Sequence, residues 1–297
     1  MKTVEDNFHT PVLIEDVLKY LDPKEKESYL DLTGGYGGHA SKVLAITRNY
    51  KDSVLVDRDE TAVEHLRERF KRTEVQIMHE SFYEAAFYLV ENGCKFDLIL
   101  GDFGVSSVQL DTGARGFSFA KEGTLDMRMD QTQNLTAAKV VNHWSEKELA
   151  QVFEAYGEVK RGLALKVARA IRSKRPIEKT EELARVIARA VGGRHHRVHP
   201  ATQYFQAIRI VVNDELSQIE KTLELLPKLL NKGGRVALIS FHSLEDRLVK
   251  LYFALDEKKG LESQFEIVTR TPVVATGMEI DINPRARSAK LRVAKKR

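Results

Sequence analysis

The sequence predicts an α/β fold: a mostly parallel, doubly wound sheet interrupted by a helical insertion. Three observations lead there. Short apolar runs alternate with helix-period segments through the first 100 residues, a glycine-rich turn follows the first run, and about 130 residues separate the fourth apolar run from the fifth. Alternation of this kind is the mark of βαβ units, and such a gap far exceeds one crossover.

Ser28–Thr33 reads as the first strand, with a helix from His39 to Thr47 behind its glycine turn. Ser53–Asp57 is the second strand, leading into a helix over Glu60–Phe70, and Val75–His79 is the third. Phe96–Asp102 (FDLILGD) is the fourth; its unbroken apolar run fits burial on both faces. A helix closing over Leu223–Leu230, stopped by Gly233 and Gly234, leads into Arg235–Ser240 as the fifth strand. Phe265–Arg270 and Leu291–Ala294 read as edge strands.

The insertion reads as helical. Ser145 and Glu148 form a capping-box pair, followed by Leu149, Val152, Phe153 and Tyr156 at helical spacing. Leu163, Val167 and Ile171 share one face of a helix that must end near Pro176. Thr180 is the expected cap of another, with Leu183, Ile187 and Ala190 inward and Gly192–Gly193 as its stop. The expected boundaries are an α/β domain made of residues 1–112 and 213–297, and an inserted subdomain over 113–212.

Charge is unevenly distributed over the 297 residues, whose net is +4. Residues 1–100 hold 13 Lys/Arg against 19 Asp/Glu, residues 160–209 hold 13 against 3, and the last fifteen hold seven and no acid. A basic insert beside an acidic first third suits a polyanionic partner, because each phosphate contact releases counterions. A single cysteine, Cys94, excludes a disulfide framework and a multi-cysteine metal site. No run approaches the roughly 18 apolar residues of a membrane span, and the N-terminus lacks a secretory leader pattern. The expected location is cytoplasmic, with neither membrane nor metal as partner.

The turn Asp31-Leu-Thr-Gly34-Gly35-Tyr-Gly37-Gly38-His39 lets backbone approach a ligand at a helix N-terminus. Gly35, Gly37 and Ala40 also satisfy the loose dinucleotide pattern G-x-G-x-x-A, and Asp57 suits an adenosine ribose in either a nicotinamide or another nucleotide cofactor. Asp102 ends the fourth strand, where a carboxylate can meet an amine nucleophile, and no distinctive set of dehydrogenase residues follows.

The segments HTPVLIEDV (9–17), DLTGGYGGHA (31–40), GDFGVSSVQLD (101–111), LDMRMD (125–130), YGEVKRG (156–162), HPATQYFQAIRIVVNDEL (199–216), ISFHSLEDRLVK (239–250) and NPRARSAKLR (283–292) resemble, in order and over nearly the whole chain, the signature blocks of one family. It is the bacterial 16S ribosomal RNA cytosine-N4 methyltransferase family (RsmH/MraW). The resemblance implies a class I, Rossmann-like methyltransferase sheet, S-adenosyl-L-methionine as cofactor, and 16S ribosomal RNA of an assembling or assembled small subunit as partner. It implies cofactor contacts at Gly37, Gly38 and His39, at Asp57 on the ribose, at Phe82 beside the adenine, and at Asp102 and Gln109. Asp102 is also the expected catalytic residue: it either orients the target amine or holds only the cofactor. Its strand ends Asp102-Phe103-Gly104-Val105, not the Pro-Pro-Tyr/Phe ending of many amino-methyltransferases, so details of base stacking do not carry over from those enzymes.

Several other residues have two readings. His242 after the fifth strand lines a base pocket or belongs to a helix cap, with Ser243 and Asp246 as its Ser-x-x-Asp start. Met127, Met129 and Phe117 read as core rather than pocket wall. His195, His196 and His199 suit phosphate or helix-end roles better than zinc, and Cys94, before the fourth strand, reads as structural. Three function classes follow: an RNA amine methyltransferase, a small-molecule enzyme with a nucleotide cofactor, and a non-catalytic RNA-binding protein.

Overall fold

The computed structural model describes residues 11–192 and 199–297. These form two compact units, one of residues 11–104 with 216–297 and one running from Val105 to Glu215.

The first unit is built on strands β1 (Tyr29–Asp31), β2 (Val54–Asp57), β3 (Gln76–His79), β4 (Phe96–Asp102), β5 (Leu230–Ser240), β6 (Phe265–Ile267), β7 (Val273–Val274) and β8 (Lys290–Lys296). Their order is β3-β2-β1-β4-β5-β8-β6, with β7 also on β8. The first five pair in parallel, and β8 runs antiparallel to β5, β6 and β7. Leu291–Ala294 is therefore no edge: β8 lies between β5 and β6, and its run Leu291–Ala294 is buried to match. The expected edge strand over 265–270 is cut to Phe265–Ile267.

Both faces of this sheet are covered, as the apolar run of β4 requires. Leu98 and Leu100 of β4, with Ala237 and Ile239 of β5, meet helices α1 (Ile14–Leu21), α2 (Gly38–Thr47) and α3 (Glu60–Arg69) through Val17, Val43, Leu44 and Leu66. Ile99, Val236 and Leu238 face the other way, toward α4 (Phe82–Glu91), α11 (Glu215–Leu229) and α12 (Ser243–Glu257). Side chains alternate across a strand, so one apolar run serves two helical layers. Asp59 and Ser81 cap α3 and α4 by accepting the backbone N–H of Thr61 and Glu84.

The second unit contains α5 (Ser107–Asp111), α6 (Ala137–His143), α7 (Glu146–Tyr156), α8 (Arg161–Ser173), α9 (Thr180–Val191) and α10 (Thr202–Asn213). Ser145 and Glu148 close the expected capping box on α7. The start of α9 differs from expectation: Lys179 holds the cap position, and buried Thr180 is already the first helical residue. Phe117, Met127 and Met129 lie in this unit's core with Leu149, Phe153 and Tyr204.

The loop LDMRMD is held by charge and amide groups. Arg128 donates to both carboxylate oxygens of Asp126, each at 2.8 Å. Asn213 accepts the N–H of Met129 and donates to the carbonyl of Met127, again at 2.8 Å. Met127 sits at φ 60°, a conformation costly for a side-chain-bearing residue and here enforced by those bonds. The remaining helix of the first unit is α13 (Gly277–Ile282). Among the described residues no helix is long and apolar enough to cross a membrane.

Candidate active site at the strand ends

Four of the parallel strands bring their carboxyl ends to one edge of the first unit. At β1 the chain leaves through Thr33 and the glycine turn, and Gly34 donates to the Val56 carbonyl at 2.6 Å, fastening the turn to β2. Gly37 precedes α2 at φ 77°, where a side chain would be strained and would press on Arg69 and Phe70. Among the described residues no side chain caps α2, so the N–H groups of its first turn suit a ligand.

Asp57 closes β2. One of its oxygens accepts Gly35 N–H at 2.7 Å and the other Asp59 N–H at 2.8 Å, fixing the carboxylate against the turn. Burial raises its pKa to about 6 against those two hydrogen bonds. Each oxygen keeps a second lone pair, enough for a diol. Phe82 opens α4 with its ring centroid 5.6 Å from that of Phe103, beside Asp102.

Asp102 closes β4. Thr33 Oγ1 receives its backbone N–H at 2.6 Å, but its side chain accepts no hydrogen bond among the described residues, and Oδ1 is enclosed without a partner. Among the described residues the nearest basic group, His39 Nδ1, lies 3.8 Å from Oδ2, beyond hydrogen-bond reach. His39 Nε2 is 2.9 Å from the Val12 carbonyl, so Nε2 carries the proton and Nδ1 is the acceptor. Burial lowers the His39 pKa to about 4, leaving the ring neutral. The Asp102 carboxyl goes the other way: burial, then the charges of Asp31 and Glu245, push it up to about 8.

The last two acids were not singled out from the sequence. Asp31 is 1% exposed, accepts the Tyr29 hydroxyl at 2.8 Å and Thr33 N–H at 3.1 Å, and is raised by burial to about 7. Glu245 is fully buried in the first turn of α12, where its Oε2 accepts Phe241 N–H at 2.7 Å. The spacing of His242 and Glu245 was the available signal. It is a capping box in which the His242 ring, not Ser243, accepts the Glu245 N–H at 3.4 Å. His242 is thus the cap itself, and Asp246 pairs instead with Lys290 and Arg292.

The strand ends gather Gly37, Gly38, His39, Asp57, Phe82 and Asp102 in one unit. Gln109 belongs to the other unit, where it is buried in α5 and its Oε1 accepts Ser106 N–H at 3.0 Å. Cys94 is half-buried in the turn before β4, at the opposite end of the strand from Asp102. His199 packs its ring 4.6 Å from Phe119, while His195 and His196 lie outside the described residues.

Basic residues of the second unit divide into two kinds. Arg169 and Arg172 of α8 are 69% and 68% exposed, reaching Glu146 at 2.7 and 3.9 Å. Arg175, expected from the charge pattern to serve an external partner, instead donates to the Val141 and Trp144 carbonyls and holds α6.

Residues 6–297 match the model of the MraW methylase family. The ribosomal RNA small subunit methyltransferase H of Acidobacterium capsulatum is 44% identical over 99% of this chain and all of its own length. That of Trichodesmium erythraeum is 45% identical over 97% of this chain and 99% of its own. With the glycine turn and the strand-end acids in place, and the match running from residue 6 to the last, this chain belongs to the MraW methylase family.

Proposed function

We propose that the protein transfers the methyl group of S-adenosyl-L-methionine to the N4 amine of a cytosine in 16S ribosomal RNA. The coarser activity, methylation of small-subunit ribosomal RNA, comes with the family and with relatives that align end to end. The single observation behind the finer reading is Asp102: a carboxyl at the end of β4 whose enclosed Oδ1 has no hydrogen-bond partner among the described residues, with an aromatic neighbour, Phe103.

The residues fit the cofactor. N–H groups of Gly38 and His39 suit its carboxylate, Asp57 its ribose hydroxyls, and Phe82 its adenine face. When bound, the cofactor supplies an electrophilic methyl on a sulfonium. The N4 lone pair of cytosine is delocalised into the ring, so attack requires the amine to rehybridise. Asp102 assists by accepting an N4 hydrogen, an interaction that strengthens as nitrogen becomes cationic. Placement within roughly 3–3.5 Å supplies much of the rest. Methylation at C5 would instead need a thiolate adding to the ring, and Cys94 stands at the wrong end of β4 for that.

The second unit, with Lys166, Arg169 and Arg172 exposed along α8, is assigned to phosphate contacts with the RNA, and Gln109 to cofactor contact. Nucleoside mass spectrometry of the methylated RNA tests the reading. N4-methylcytidine, formed also by Cys94→Ser, is the expected product; C5-methylcytidine or loss of activity in that variant overturns it.

A further inference from the structure

Three acids meet at the strand ends, and they are not equivalent. Asp31 accepts a hydroxyl and a backbone N–H, and Glu245 accepts the N–H groups of Phe241 and, at 3.3 Å, His242. Donors of this kind stabilise the ionised form. Asp102 receives none among the described residues, yet only 24% of its side chain reaches solvent. Among the described residues the titratable groups around it are Tyr29 and Asp31 on β1, His39 on α2, and Glu245 on α12 with His242 3.2 Å behind it. None of these described residues brings a positive charge to Asp102: His39 is neutral, burial disfavours the charged carboxyl, and Asp31, itself raised to about 7, and Glu245 add repulsion when ionised.

We propose that Asp102 is a specificity-determining residue: with its Oδ1 enclosed and no cation hydrogen-bonded to it among the described residues, its carboxyl stays protonated in the cofactor-free and product-bound protein, and it releases that proton to solvent when the cationic sulfonium of the cofactor binds. Cofactor and product share adenosine and amino-acid portions and differ at sulfur, cationic in one and a neutral thioether in the other. The ionised Asp102 meets the first and the protonated Asp102 the second. Transfer moves the positive charge from sulfur to N4, Asp102 takes the proton that the methylated amine must lose, and with both charges gone the basis for holding the product more tightly than fresh cofactor is removed. Direction agrees with the site's electrostatics, since burial and both neighbouring acids raise the Asp102 pKa to about 8. This inference rests on the assignment of Asp102 to the cofactor site.

Calorimetric titration of the intact protein with S-adenosylmethionine and with S-adenosylhomocysteine tests it, in buffers of differing ionisation enthalpy between about pH 5.5 and 7.0. There the ligands' amino groups stay protonated. Close to one proton should leave with the sulfonium ligand and close to none with the thioether. The ratio of their affinities should then rise about tenfold per pH unit, with contributions both ligands share, such as Asp57, cancelling. Asp102→Asn should abolish that rise, whereas Asp31→Asn, which removes the other carboxyl raised toward this range, should leave it in place. Equal proton release by the two ligands in the wild-type protein overturns the inference even if a buried variant fails to fold, and leaves the cofactor site standing. If neither ligand binds, or if Asp102→Asn alters neither affinity nor proton count, the site assignment falls and the inference with it.

Discussion

In the 105–215 unit Arg128 grips both oxygens of Asp126, Arg209 grips both oxygens of Glu215 at 2.9 and 2.8 Å, and Arg175 directs its guanidinium to two carbonyls. At the strand ends of the other unit the Asp102 carboxyl accepts no hydrogen bond and meets no cation among the described residues, His39 being neutral, while Asp31 and Glu245 add repulsion when ionised. The first arrangement satisfies buried charge and fixes a loop and two helix ends. The second leaves repulsion standing, which lowers stability and is relieved only when something cationic arrives. Compensated charge marks architecture here, and uncompensated charge marks chemistry.

The largest effect should come from Asp57→Ala, which removes the proposed ribose contact. Two charge-assisted hydrogen bonds at roughly 1.5–3 kcal/mol each imply a loss of cofactor affinity of at least about 100-fold. Unchanged affinity by calorimetry would take Asp57 out of the site. Next comes Asp102→Asn. Single-turnover methyl transfer at saturating cofactor should fall roughly 100- to 1,000-fold, the scale of losing one preorganised electrostatic partner. Its melting temperature should not fall, because no donor loses an acceptor. A wild-type rate would leave Asp102 with the cofactor alone.

Asn213→Ala probes the compensated side. It orphans Met129 N–H and the Met127 carbonyl in a buried loop, at about 1–3 kcal/mol per group. Thermal unfolding should register that loss while cofactor affinity holds. The opposite pattern, stable protein with lost affinity, would break the contrast between the units. Acid–base behaviour sharpens it further. A carboxyl whose folded pKa is raised lends stability that is complete below its unfolded value, near 4, and is lost as pH climbs through the folded one. The cofactor-free protein should therefore lose stability between about pH 4 and 8 relative to Asp102→Asn, by no more than about 1.4 kcal/mol per pH unit. Parallel pH profiles for the two proteins would show Asp102 ionised throughout.

Much of the α/β unit was legible because its signals are local. FDLILGD is β4 to the residue, since seven residues of one pattern fix both burial and length. The glycine turn and Asp57 announce a nucleotide crevice for the same reason. What stayed hidden depends on pairing across distance. Leu291–Ala294 is apolar enough for any position in a sheet, and only its partners β5 and β6 reveal that it is interior. Asp31 and Glu245 are ordinary acids in the sequence and become significant when β1, β4 and α12 bring their charges to bear on Asp102. Arg175 looked like its neighbours Arg169 and Arg172 because charge counting ignores the direction a side chain takes at a helix end.

That last distinction gives the smallest expected effect and the finest test. Lys166, Arg169 and Arg172 lie on the exposed face of α8, so their proposed contacts with RNA phosphates act through counterion release. Replacing any one with Glu should weaken RNA binding modestly at low salt and flatten the plot of log affinity against log salt, by roughly 0.7–0.9 for each phosphate left without its cation. The triple replacement should add these reductions. Arg175→Ala also removes a formal positive charge but should leave the salt slope alone, because its guanidinium serves Val141 and Trp144; its deficit should appear in thermal unfolding instead. Filter binding across a salt series, paired with melting curves, separates the two. A reduced slope for Arg175→Ala, or an unchanged slope for the triple variant, would mean that exposure along α8 does not mark the RNA-facing surface.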